Sequence, residues 1–213
     1  MSRMTKPKAS LVAVALVALA GGLAAGPTTT QADVKWWAVP AEARNAFLDA
    51  CARGDEQAVR RFLKPYPALV HARGTSHDRG TALVVAAYEG KTEVVRALIE
   101  HGADLEAEDR AWGTSALGWA AYWGRVPAVK ALLDAGAEVN HPNRLGRTPL
   151  YNVKAGARAH PDVASDKARE QVAQLLTERG GTEEQQDRKR PWPAEVPPQE
   201  RQALGEQQEQ GDQ

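Results

Sequence analysis

The chain has 213 residues, with Lys plus Arg and Asp plus Glu equal at 27 each. That length suits one ordinary domain with residues to spare. A formal net charge of zero argues against a nucleic-acid partner, which requires a basic stripe to offset phosphate charge.

The amino terminus does not read as part of a fold. Met1 to Ser10 carry Arg3, Lys6 and Lys8 and no acid; Leu11 to Ala20 are an unbroken apolar run; small residues follow, and Thr30-Gln31-Ala32 offers a small-x-small cleavage site. Basic, apolar and small segments in that order predict a secretory signal peptide over residues 1–32, cleaved after Ala32. The destination is then the bacterial periplasm or the exterior. The absence of an Arg-Arg pair before the apolar run favours the general secretory route, and the absence of a nearby cysteine argues against a lipoprotein. The apolar stretch is broken by Gly21-Gly22 and falls short of the roughly 20 residues of a membrane span, so an uncleaved anchor is the alternative rather than the expectation. Cleavage removes three bases and no acid, leaving a mature chain of about −3. The single cysteine, Cys51, lies between alanines in an apolar helical stretch and reads as a buried small side chain, not a nucleophile. Trp36 and Trp37 are expected to cover the open end of the folded region.

Residues 41–182 repeat themselves. Gly80 to Gly90, G-T-A-L-V-V-A-A-Y-E-G, aligns with Thr114 to Gly124, T-S-A-L-G-W-A-A-Y-W-G, with Leu83/Leu117, Ala86/Ala120, Tyr88/Tyr122 and Gly90/Gly124 all offset by 34. The register continues through Leu98/Leu132, Gly102/Gly136 and Asp104/Glu138, and a further copy opens at Gly146 to Tyr151, G-R-T-P-L-Y. Phe47 to Leu63 is a degenerate earlier copy. In each full copy a Thr or Ser (Thr81, Ser115, Thr148) stands where a hydroxyl caps a short helix. Gly90 and Gly124 stand where that helix must end with positive φ. A second helix follows with apolar residues at helical spacing, as in Val94, Val95, Leu98 and Ile99.

These strings resemble the ankyrin-repeat family, in which T-P-L-H-x-A-A, a glycine, V-V-x-L-L and G-A-D-V-N recur in that order. Thr148-Pro149-Leu150 keeps the first element, with Tyr151 in place of His; Gly136-Ala137-Glu138-Val139-Asn140 keeps the last. The resemblance implies an all-α repeat solenoid of stacked helix-turn-helix units with short β-hairpin connections. Four repeats are expected within a domain spanning 33–182, near 41–73, 76–108, 110–142 and 143–182, the first and last divergent. Gly136 to Gly180 spans 44 residues against a period of about 33, so roughly 11 are inserted, near 155–166. From Glu183 the chain turns to Glu, Gln, Pro and Arg with eight acids and four bases, which reads as a disordered tail over 183–213.

The same resemblance places partner contacts at the hairpin tips and at the two residues before the helix-ending glycine. Here these are Asp78, Arg79, Arg110, Trp112 and Arg144 at the tips, and Tyr88, Glu89, Tyr122 and Trp123 at the helix ends. Stacking is expected to line Tyr88, Tyr122, Trp123 and Trp112 along one surface, with Tyr, Trp and Arg supplying the large contact area typical of hot spots. Trp119 falls at an apolar position of the family pattern and is expected in the core. His71, His77, His101, His141 and His160 show no metal-ligand spacing, no nucleophile motif or phosphate loop is present, and His101 reads as a helix cap. No metal or cofactor is therefore expected, and an enzyme site built on His160 and Asp162 of the insertion is the weakest reading, because a mobile loop holds catalytic groups poorly. The expected function is a monomeric, non-catalytic protein-binding module whose partner is periplasmic or delivered to the envelope, with no nucleic acid and no membrane after cleavage. Its sharper forms are an immunity protein against an envelope-acting toxin and an accessory to a stress-response enzyme.

Overall fold

A computed structural model describes residues 35–74, 80–159 and 164–183. The expected signal segment, Asp78 and Arg79, His160 and Asp162, and the tail from residue 184 lie outside the described residues. Eight α-helices follow one another: α1 (Ala41–Arg53), α2 (Glu56–Leu63), α3 (Ala82–Tyr88), α4 (Thr92–Glu100), α5 (Ala116–Tyr122), α6 (Val126–Asp134), α7 (Pro149–Ala159) and α8 (Asp166–Glu178). None of the helices among the described residues is long and apolar enough to cross a membrane.

The helices pair within repeats and stack between them. α1, α3, α5 and α7 pack in succession as an inner row, and α2, α4, α6 and α8 as an outer row. The repeated leucines occupy equivalent buried places: Leu83, Leu117 and Leu150 in the inner row, Leu98 and Leu132 in the outer row. The alanines between them (Ala86, Ala87, Ala120, Ala121) are fully buried, because side chains this small let successive inner helices approach closely. Each hydroxyl expected to cap a helix does so. Thr81 Oγ1 accepts from Val84 N at 3.3 Å, Ser115 Oγ from Gly118 N at 3.4 Å and Thr148 Oγ1 from Tyr151 N at 3.3 Å.

The hairpin connections are tighter than a β-ladder. Tips are closed by single pairs, Asp109 N to Thr114 O at 3.1 Å and Asn143 N to Arg147 O at 3.0 Å. Among the described residues the extended pairing is one isolated antiparallel bridge, Arg73 with Thr81. With only four residues inside the first of these pairs and three inside the second, the chain turns back before a second rung can form.

The first and last repeats are held in different ways. Trp36 is 6% exposed and packs into the first repeat, with the Arg44 guanidinium 5.7 Å from its ring centre and half-buried Trp37 against its edge. At the far end Asn140 reaches across to the last turn, donating to Gly180 O at 2.9 Å and accepting from Thr182 N at 2.8 Å. The extra length in the last repeat is partly helical, since α7 has 11 residues where α3 and α5 have 7.

Two predictions follow from this packing. Gly124 has φ +63°, and a Cβ there meets the Ala164 Cβ at 2.9 Å; Gly136 has φ +91° and open space around it. Gly136→Ala should therefore cost only left-handed strain, about 1–2 kcal/mol, whereas Gly124→Val should cost that and the clash. Thermal melts should show the clearly larger fall for Gly124→Val, and equal melts would contradict the assigned packing. Cys51 is fully buried and burial pushes its thiol up to about 12. Alkylation at pH 8 should therefore proceed only through unfolding, as measured by mass spectrometry with and without denaturant; rapid labelling of the native chain would refute this burial.

Candidate protein-binding face

α5 exposes aromatic groups because of its register. Ala116, Leu117, Gly118, Ala120 and Ala121 are all buried, between neighbouring inner helices and the outer row. Trp119 lies about 200° around the helix from Leu117 and so emerges on the opposite side. It is half-buried, packing against the core as the family pattern suggests while leaving part of its ring exposed. Tyr122 and Trp123, at the end of α5, and Tyr88, one repeat earlier at the end of α3, are half-buried beside it.

These four rings form one cluster across two repeats. Tyr88 meets Trp119 at 5.3 Å and Trp123 at 5.2 Å between ring centres; Tyr122 meets Trp119 at 5.8 Å and Trp123 at 5.2 Å. All four contacts are edge-to-face, with interplanar angles of 67–77°. That is the arrangement the ring quadrupole favours, at about 0.5–1.5 kcal/mol per pair beyond area burial. The mutual contacts restrict the rotamers of all four rings.

Asp109 ties this cluster to the hairpin tip. It is 1% exposed. Its Oδ1 accepts from Trp112 N at 2.7 Å, and its Oδ2 accepts from Thr114 N at 2.9 Å and from the Trp119 indole Nε1 at 2.9 Å. One carboxylate thus shapes the turn and sets the Trp119 ring. Asn143 does the turn-shaping part of this in the next repeat, its Oδ1 accepting from Leu145 N and Arg147 N at 3.0 Å each. The tips so formed carry the exposed large apolar residues among the described positions, Trp112 at 52% and Leu145 at 43%.

The expected contact residues divide accordingly. Tyr88, Tyr122 and Trp123 come together, with Glu89 exposed at the end of α3. Trp112 is 52% exposed on the hairpin tip, its backbone N–H held by Asp109. Arg110 is 6% exposed and is not a surface contact. Arg144 is half-buried and engaged with the preceding tip: its guanidinium donates to the carbonyls of Arg110 and Ala111, and its stem passes over Gly113, where a Cβ would lie 2.6 Å from it. It acts as a clamp between tips. Leu145 and Asp109 lie at the hairpin tips, where the family pattern puts them, and Asp109 connects its tip to the half-buried Trp119. The 34-residue offset linking Asp109 to Asn143 was the available signal for the turn-shaping pair. His101 is a cap, its ring Nδ1 2.7 Å from Ala97 O. His141 lies instead among carboxylates from two connectors.

Asp109→Ala removes an acceptor from two backbone N–H groups and one indole N–H. It should lower stability by about 3 kcal/mol and shift Trp fluorescence as Trp119 loses its anchor. Chemical denaturation followed by fluorescence checks both; a silent substitution would remove Asp109 from this role.

Comparison with known proteins agrees with this geometry. A three-copy ankyrin-repeat family model matches residues 47–143, and a second, many-copy ankyrin-repeat model matches residues 117–176. The serine/threonine-protein kinase VIK of Arabidopsis thaliana is 45% identical over 65 residues, 30% of this chain and 14% of that protein. The chain therefore matches only a small part of the kinase's length. With the helix pairs, capping hydroxyls and terminating glycines in register over the matched span, the chain belongs to the ankyrin-repeat family.

Proposed function

We propose that this chain is a non-catalytic protein-binding module whose contact surface is the inner aromatic cluster with the adjoining tips. The observation that carries this reading is the set of four interlocked rings, Tyr88, Trp119, Tyr122 and Trp123, half-exposed across two repeats. Partly exposed Tyr and Trp side chains held in mutual contact are what binding hot spots use. Trp112 and Leu145 extend the apolar area along the tips, and Glu89 adds an acidic rim. Ankyrin repeats in general mediate binding to another protein and are not catalytic, which agrees with this face.

The proposal includes export to a bacterial periplasm, supported by the basic, apolar and small-residue order of residues 1–32. The partner is then an envelope protein or one delivered there. An envelope-acting toxin and a stress-response enzyme are the two finer candidates, separable by gene neighbourhood.

Partner capture with the tagged chain tests the face. Tyr122→Ala/Trp123→Ala and, separately, Trp112→Ala should each weaken capture, the double variant by 30-fold or more, taking a hot spot as about 2 kcal/mol. Circular dichroism confirms that the variants remain folded. A partner held equally well by both folded variants would overturn the assignment of this face.

A further inference from the structure

We propose that Glu106, Glu138 and His141 form a binding site for one divalent first-row transition ion of the zinc class, bridging two successive repeat connectors. One ligand atom from each residue lies within 4.8 Å of the other two. His141 Nδ1 is 3.2 Å from Glu138 Oε2 and 3.4 Å from Glu106 Oε2. Zinc–ligand bonds of about 2.0–2.1 Å put tetrahedral ligand atoms about 3.3 Å apart, so two of the three edges already have the right length.

Each ligand is held by its surroundings. Glu106 is oriented through its other oxygen, Oε1, which accepts from Glu138 N at 2.7 Å. That bond leaves Oε2 aimed at His141, inaccessible to solvent and with no hydrogen-bond donor. Glu138 and His141 belong to one turn, closed by His141 N to Glu138 O at 3.2 Å.

A fourth residue supplies what a metal-bound histidine needs on its far side. Glu108 Oε1 lies 2.9 Å from His141 Nε2. In the ion-free chain both ring nitrogens face carboxylates; an ion binding at Nδ1 would displace the proton from that nitrogen to solvent, while Nε2 would keep its proton and donate it to Glu108. This carboxylate–imidazole relay fixes ring and tautomer at protein metal sites. The imidazole side chain is only 9% exposed, so its position is set by packing. One imidazole nitrogen with two carboxylate oxygens suits zinc and its neighbours better than magnesium or calcium, which take oxygen ligands alone. A fourth position remains for water or for a partner's side chain. Glu106 and Glu108 follow α4 whereas Glu138 and His141 follow α6, so an ion here would tie consecutive connectors together.

The full chain, stripped with chelator, should be titrated with Zn²⁺ by calorimetry and by thermal melting. One saturable site and a raised melting temperature are expected, with no comparable effect of Mg²⁺. Glu106→Gln and Glu138→Gln should each weaken Zn²⁺ at least tenfold. Glu108→Gln should weaken it about 10–100-fold without changing stoichiometry. Glu138 is exposed at 60%, so its variant keeps the fold. Co²⁺ in place of Zn²⁺ should give the strong visible bands of tetrahedral coordination, lost in Glu138→Gln. No saturable Zn²⁺ binding, or equal affinity in the folded Glu106→Gln/Glu138→Gln variant, would overturn the site.

Discussion

No repeat in this chain can bury its own apolar face, and that constraint shapes everything else. A pair of helices seven to thirteen residues long leaves one side of each helix uncovered. Burial comes from the next pair, which sets Leu83, Leu117 and Leu150 in one buried series and Leu98 and Leu132 in another. Close stacking of the inner row in turn requires Ala86, Ala87, Ala120 and Ala121 to stay small. Among the described residues the first and last repeats have a neighbouring repeat on one side only. Trp36 closes one end, and Asn140, bonded to Gly180 and Thr182, secures the other.

Stacking also determines where function can reside. With both flanks of an inner helix pressed against neighbours and its floor against the outer row, one narrow stripe remains open. On α5 that stripe carries Trp119, Tyr122 and Trp123, and Tyr88 enters from α3. The buried Asp109 carboxylate then couples the stripe to the hairpin tip, since a single side chain accepts from the turn and from the Trp119 indole. The stacked array thus holds these rings in place from below, with Trp119 packing against the core beneath them.

The connectors between repeats bring together residues that no local motif joins. Glu106 and Glu108 meet Glu138 and His141 only because adjacent connectors run side by side at the repeat spacing. A search for close His and Cys spacing passes over such a group, since its members are about 30 residues apart. The same geometry explains Arg144, whose guanidinium reads as a free tip contact from its position but bonds to the carbonyls of the preceding tip.

Sequence alone determined the period, the fold class, the capping hydroxyls at Thr81, Ser115 and Thr148, and the terminating glycines. Each of these is a local requirement: a hydroxyl beside unpaired N–H groups, a positive φ, an apolar residue every third or fourth place. Tyr88, Tyr122 and Trp123 were legible as a group because the repeat offset alone brings equivalent helix ends together. Only the tertiary structure decided that Trp119 is half-buried and anchored by Asp109, that Arg110 is buried, and that His141 is surrounded by glutamates. Those facts depend on which way a side chain leaves one repeat relative to the next, and that direction is set by packing between repeats, not by any residue's immediate neighbours in the chain.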